Sequence, residues 1–92
     1  MPTPTRKEVR DQVVEKIKAI TDEDNLAENE DSDLQLDLGM GATLKKAMAV
    51  PYTKISTKYD NGITVTMSDA GKCQTVKDSI ELVFKRAQGV KK

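Results

Sequence analysis

Residues 51–67, with the sequence PYTKISTKYDNGITVTM, decide between a helical fold and a mixed one. Apolar or β-branched side chains alternate with polar ones on both sides of Asp-Asn-Gly at 60–62, which is a turn sequence. A three-residue loop there pairs Ile55 with Met67 and places the apolar partners on one face of the pair. The local pattern therefore favours a β-hairpin at about 54–67.

The same stretch also supports a helical interpretation. Apolar side chains recur through it at three- and four-residue intervals: Leu44, Met48, Tyr52, Ile55 and Tyr59. Such spacing is typical of one face of a helix. The helix would have to accommodate Pro51, which cannot donate a backbone hydrogen bond, and several β-branched residues. On local chemistry we prefer the hairpin and keep the helix as the alternative.

Helices are predicted on both sides of this stretch. The first runs from about Arg6 to Ile20, because Thr5 and Glu8 have capping-box spacing. Its apolar positions recur at helical intervals: Val9, Val13, Val14, Ile17 and Ile20. A second, short helix is plausible from 43 to 50, and 68–72 could form one helical turn.

The closing helix is marked at both ends. Thr75 and Asp78 have capping-box spacing, and Gly89 is a typical helix terminator. The predicted buried face consists of Val76, Ile80, Val83, Phe84 and Ala87. The fold class is therefore mainly α, a small helical bundle, with an α+β fold as the alternative if the hairpin forms.

The composition fits one small domain. The 92 residues suffice for a single domain, 1–92, in which 1–5 and 90–92 are expected to be tails. Hydrophobic residues make up 37% and aromatic residues 3%, so the core must be small and aliphatic. No apolar run approaches the ~18 residues of a membrane span, and the start lacks a signal-peptide pattern. We expect a cytoplasmic protein and a monomer.

The charges balance to zero but are strongly segregated. Residues 21–38 carry eight acidic side chains and no basic one, whereas 39–92 carry ten basic and four acidic ones. A neutral balance argues against nucleic-acid binding, and a protein partner is expected instead. The stretch 21–33 is predicted to be an acidic loop. Asp22 and Asp24 begin a calcium-loop pattern, but Leu26 and the missing glycine end it, so no metal site is expected.

Little catalytic chemistry is available to this chain. It has no histidine, which removes most acid–base, zinc and Cys-His chemistry. Its single cysteine, Cys73, is expected to be a buried and inert core residue. The lysines at 45, 46, 54 and 58 form a basic series that is either a solvated face or a surface for an acidic partner. We expect no enzymatic activity.

Three stretches together resemble the acyl carrier protein family. They are the first helix with the long polar loop after it, SDLQLDLG at 32–39, and TMSDAGKCQTVKDSIELV at 66–83. The resemblance implies a small helical bundle that carries acyl groups on 4'-phosphopantetheine during fatty acid or polyketide biosynthesis. It also implies that the following residues are core positions: Val65, Ala70, Cys73, Val76 and Ile80.

The attachment site of the family is altered here. The family joins its arm to a serine at the start of the second helix, and the corresponding stretch is DLGMGATLKK at 37–46. Counting from Gly39 puts Ala42 at the serine position, whereas counting from Leu44 puts Thr43 there. We prefer Thr43 as an ordinary N-cap. Lysines also follow where the family has its acidic docking surface.

The predicted function follows from this altered site. The chain is interpreted as a carrier-like domain that is degenerate at the phosphopantetheine position and acts as a carrier-like or protein-binding module. The alternative is a non-enzymatic α+β interaction or regulatory domain.

Overall fold

The computed structural model describes residues 5–21, 31–59 and 61–90. The helices of these ranges, in chain order, are α1 (Arg6–Thr21), α2 (Ala42–Ala47), α3 (Ala49–Ser56), α4 (Met67–Gly71) and α5 (Val76–Ala87). The described part of the chain contains no β-strand, so the prediction of a mainly α bundle is confirmed. Of the tails predicted at 1–5 and 90–92, residues 1–4 and 91–92 lie outside the described residues, as do residues 22–30 of the acidic loop predicted at 21–33.

The core forms where α1, α3 and α5 pack on one another, while α2 packs on α4. Its members are mostly aliphatic, as predicted, and Tyr52 is the largest fully buried side chain. The expected core positions at 65, 70, 73, 76 and 80 are all buried. Ile20 is 43% exposed, however, so the predicted buried face of the first helix ends at Ile17. None of the helices in the described ranges is long and apolar enough to cross a membrane.

The predicted caps hold the two long helices. The Thr5 hydroxyl accepts a hydrogen bond from the Glu8 N–H at 3.2 Å and begins α1. Thr75 and Asp78 form the complete capping box of α5. At the other end, Gly89 has φ +82, and the Val90 N–H donates to the Lys85 carbonyl at 2.8 Å. This arrangement is a Schellman motif, which satisfies carbonyls that the last helical turn leaves without partners.

The hairpin predicted at about 54–67 is wrong, and with it the α+β alternative. Its first half, up to Ser56, belongs to α3. The helical path breaks at Met48, between α2 and α3, so that Pro51 falls in the first turn of a new helix. Backbone N–H groups of a first turn have no partner within the helix, and proline therefore costs little there.

The second half of the expected hairpin, residues 62–66, is neither helix nor strand. Side-chain hydroxyls of α3 make the hydrogen bonds that a partner strand would have made. Thr53 Oγ1 accepts from the Val65 N–H at 2.9 Å and donates to the Val65 carbonyl at 3.1 Å. Ser56 Oγ donates to the Ile63 carbonyl at 2.7 Å. We call these three bonds the hydroxyl clasp.

Glycine is required where the chain turns into the clasp. A Cβ atom at Gly62 would lie 1.7 Å from the Ser56 carbonyl oxygen, far inside any allowed contact. The Gly62 N–H donates to the Tyr59 carbonyl at 2.9 Å, which closes the turn. The chain therefore turns at Gly62, within the predicted turn at 60–62. This turn connects a helix to an irregular segment, not two strands. Asp60 lies outside the described residues.

The segment before α2 is tied to the start of α5. The Leu34 N–H donates to the Gln74 carbonyl at 2.8 Å, and the Val76 N–H donates to the Ser32 carbonyl at 3.1 Å. Leu34 is buried and Leu38 packs against the core, so these two leucines anchor the loop. The Asp33 carboxylate accepts from the Gln35 N–H at 2.8 Å. The Asp33 carboxylate therefore has a structural role in this segment.

The hydroxyl clasp generates a stability prediction. Thr53→Val keeps the size and β-branching of the side chain but leaves both polar backbone groups of Val65 without their partner. We expect the free energy of unfolding to fall by about 2 kcal/mol, because buried polar groups lose their bonds. Urea denaturation followed by circular dichroism measures this change.

Thr57→Val is the matched control. It makes the same chemical change at the exposed C-cap residue of α3, whose hydroxyl donates to the Thr53 carbonyl at 2.7 Å. Its cost should stay below about 0.5 kcal/mol, as is usual for surface substitutions. Equal losses in the two variants would contradict the clasp.

Candidate functional site

The start of α2 holds the residues that the sequence singled out. Gly41 occupies the N-cap position with φ −72 and ψ 172, and no side chain caps the helix. Ala42 and Thr43 are its first two helical residues, and both are exposed. The prediction that Thr43 is the N-cap is therefore wrong, because the helix begins one residue before it. The Thr43 hydroxyl lies on an exposed turn instead, while Ala42 has no group that could react.

The predicted basic series does not gather on one surface. Lys45 Nζ donates to the Cys73 carbonyl at 3.0 Å and ties α2 to the α4–α5 junction. Lys58 Nζ donates to the Gln12 side chain of α1 at 2.9 Å. The Lys46 side chain runs beside Gly71 of α4, where an added Cβ would lie 3.0 Å from its Cγ.

An open, mostly apolar groove of about 470 Å³ lies between α3 and the start of α4. Its lining residues are Ala49, Val50, Thr53, Lys54, Val65, Thr66 and Met67. Val50 is 63% exposed and Met67 59%, although both are large apolar side chains. We call this feature the α3–α4 groove. Lys54 is the only charged residue among the described residues of its lining.

A second, polar pocket of about 280 Å³ lies beside the groove. It is lined by Ile63, Thr64, Thr66, Asp69 and Arg86, and Thr66 also lines the groove. Arg86 is only 6% exposed and is held by two hydrogen bonds. Its Nη2 donates to Asp69 Oδ2 at 2.8 Å, and its Nη1 donates to the Val90 carbonyl at 2.6 Å.

The hydrogen bond from Arg86 holds the pKa of the Asp69 carboxyl below its ordinary value. A bond from the Thr66 side chain acts in the same direction. Stabilising the charged form in this way is how a hydrogen-bonded carboxylate becomes a stronger acid. The polar pocket therefore keeps a neutralised ion pair at neutral pH.

The core contains groups that could react only if they were accessible. Cys73 is 5% exposed, as predicted, and burial raises the pKa of its thiol. Burial also raises the pKa of Tyr52, whose hydroxyl has no hydrogen-bond partner in the part of the chain that is described. A raised pKa keeps both groups protonated near neutral pH, so neither is an activated nucleophile or base.

No group of three or more metal-ligating side chains comes together within the described ranges. The start of the calcium-loop pattern at Asp22 and Asp24 lies outside those ranges. No protein-family model, curated protein or solved structure matches the chain. The geometry of the described surface is therefore the ground for a functional proposal.

Sequence reasoning missed the residues that define the groove and the pocket. The sequence predicts a helix end at Val50 and a strand at Met67, and it therefore does not predict that the two side chains are exposed together. Arg86 did leave a signal: it lies three residues after Val83 and one before Ala87, inside the apolar face of the closing helix. An arginine at such a position indicates a buried ion pair.

The Arg86–Asp69 pair predicts a pH dependence. Because the pKa of Asp69 is lowered on folding, its contribution to stability is complete above the unfolded pKa of about 3.9. The contribution is lost as the pH falls through the lower pKa of the folded state. Asp69→Asn should therefore lose less stability than wild type between pH 6 and pH 3, measured by urea denaturation at each pH. An equal loss in both proteins would contradict the ion pair.

Proposed function

We propose that this chain is a carrier-like, non-enzymatic module that binds a protein partner through the α3–α4 groove. The observation that carries the proposal is the pair of exposed apolar side chains, Val50 and Met67, on the two sides of one groove. Covering a large apolar side chain is worth roughly 1.5–3 kcal/mol when it is complete, so two half-covered ones supply a useful binding energy.

The charge around the groove indicates the chemistry of the partner. Among the described residues that line the groove, Lys54 carries the only charge. The other three lysines of residues 38–59 contact other parts of the chain, namely the Cys73 carbonyl, Gly71 and Gln12. Charges of one sign steer an oppositely charged partner toward a surface and repel a like-charged one. We therefore infer a partner segment with acidic and apolar side chains. In the acyl carrier family the second helix is acidic, so the partners of this chain would differ from those of the family.

Two observations support the carrier-like part of the proposal: residues 49–56 are helical, and the five expected core positions are buried. The family is helical in that region, and a hairpin there would have departed from it. Because the attachment position has no serine, the domain would carry no phosphopantetheine arm. The cytoplasmic location and the monomeric state stay predictions from the sequence.

A peptide selection tests the binding surface. A displayed library of random nine-residue linear peptides is selected on the wild-type protein, with removal of peptides that also bind Met67→Asp. We expect enrichment of peptides that combine apolar and acidic residues, with binding that weakens as salt rises. The variant Lys77→Asp, which changes an exposed residue of α5 outside the groove lining, should bind the selected peptides within about threefold of wild type.

Failure to enrich any peptide above the Met67→Asp background would reject the proposed surface. Equal binding by wild type and Met67→Asp would also reject it. Circular dichroism of each variant establishes that the fold is retained before binding is compared.

A second candidate function is that of a working carrier with its arm on Thr43. It is favoured by one observation, that Thr43 is exposed and does not cap α2. Against it, threonine carries a methyl group beside its hydroxyl, which crowds the attack on a phosphate donor.

Mass spectrometry separates the two candidates. The wild type, Thr43→Ala and Ala42→Ser are each incubated with coenzyme A and a broadly tolerant phosphopantetheinyl transferase. We expect no mass change for the wild type and addition of one arm to Ala42→Ser, since that change restores a serine at the matched position. Modification of the wild type that Thr43→Ala abolishes would establish the working carrier instead. No modification of Ala42→Ser, with an active transferase, would remove the carrier-like part of the proposal.

A further inference from the structure

The hydroxyl clasp leaves one edge of residues 63–65 without partners. Thr53 is hydrogen-bonded to Val65, and Ser56 is hydrogen-bonded to Ile63. The segment therefore runs antiparallel to α3 and is bonded to it at every second residue. Bonds to one neighbour at alternate residues are typical of an extended chain. Thr66, the next residue, has an extended backbone with φ −80 and ψ 157.

Thr64, between the two clasped residues, is exposed, and its backbone N–H and C=O make no hydrogen bond within the described ranges. In an extended chain, successive residues direct their backbone polar groups to opposite sides. The groups of Thr64 therefore face away from α3. A donor and an acceptor on one residue at an open edge can pair with the backbone of an added strand.

The two cavities lie along this same segment. Val65, Thr66 and Met67 line the apolar α3–α4 groove, and Ile63, Thr64 and Thr66 line the polar pocket that holds Asp69 and Arg86. An added strand at Thr64 would thus have an apolar cavity near one end and a hydrogen-bonding cavity near the other. Main-chain pairing supplies affinity in such a complex, and pockets for individual side chains supply specificity.

We propose that the partner segment binds in an extended conformation, pairs its backbone with the N–H and C=O of Thr64, and places an apolar side chain in the α3–α4 groove. This inference rests on the proposed function and specifies its binding mode. The segment belongs to another protein and carries a carboxylate that faces Lys54 of the groove lining.

Charge excludes a second copy of this chain as the preferred occupant. Pairing two copies through Thr64 would bring together two grooves that each have a lysine and no acidic residue among the described residues of the lining. Like charges at close range oppose such an association. A helical partner fits the groove but cannot reach the free groups of Thr64 with its backbone, because a helix uses its N–H and C=O groups internally.

The test uses the tightest peptide from the selection, synthesised with a fluorophore, and fluorescence anisotropy. Thr64→Pro removes the N–H, and Thr64→Val keeps it while replacing the hydroxyl by a methyl group. We expect Thr64→Pro to bind about tenfold more weakly, as the loss of one main-chain bond predicts, and Thr64→Val to bind within about twofold of wild type. Since the Thr64 N–H has no partner in the free protein, Thr64→Pro should unfold at nearly the wild-type urea concentration.

A second measurement does not depend on the proline variant. Each backbone nitrogen of the peptide is methylated in turn, and each product is titrated against the wild type. We expect a two-residue periodicity, with strong losses only where the peptide N–H faces Thr64. Losses without that periodicity would overturn the extended binding mode.

The outcomes separate this inference from the function it rests on. If Met67→Asp loses binding while Thr64→Pro keeps it, the surface stands and the backbone pairing is rejected. If both variants bind as wild type, the surface itself is rejected. A wild-type dimer in sedimentation that Thr64→Pro dissociates would overturn the choice of occupant, because the edge would then pair with its own copy.

Discussion

The contact between the Thr53 hydroxyl and the backbone of Val65 determines how the middle of this chain is arranged. A single oxygen satisfies a donor and an acceptor that would otherwise need a second strand. Because that oxygen lies on a helix, the segment at 62–66 can lie along α3 without forming a sheet. The consequence is a helical bundle that contains one extended segment with an open outer edge.

Arg86 joins the same region from the other side. Its carbonyl accepts the Ile63 N–H at 2.9 Å, while its guanidinium reaches Asp69 of α4 and the carbonyl of Val90. A buried arginine is tolerated only when its donors are used, and here each of these bonds fixes a different part of the chain. The segment at 63–65 is therefore held by α3 and by the Arg86 carbonyl, and the groove and the polar pocket lie along it.

The sequence predicted what depends on local chemistry and apolar periodicity. The capping pairs placed the starts of α1 and α5, and Gly89 placed the end of α5. The prediction for the middle of the chain is wrong because Thr53 and Ser56 fit two patterns. One is an alternating strand, and the other is a helix whose hydroxyls face a neighbouring segment. Only tertiary contact separates them. The predicted N-cap of α2 is also wrong, because Gly41 occupies that position without a side-chain bond and Thr43 is left exposed.

The proposed function depends on the same arrangement, because the open edge at Thr64 exists only if the clasp holds its neighbours. Amide hydrogen exchange of the free protein, measured residue by residue by NMR, tests this most directly. The account predicts slow exchange at Val65, whose N–H is bonded to Thr53, and fast exchange at Thr64, whose N–H is open to water. Protection of Thr64 as strong as that of Val65 would mean that the edge is already paired, and would contradict the account.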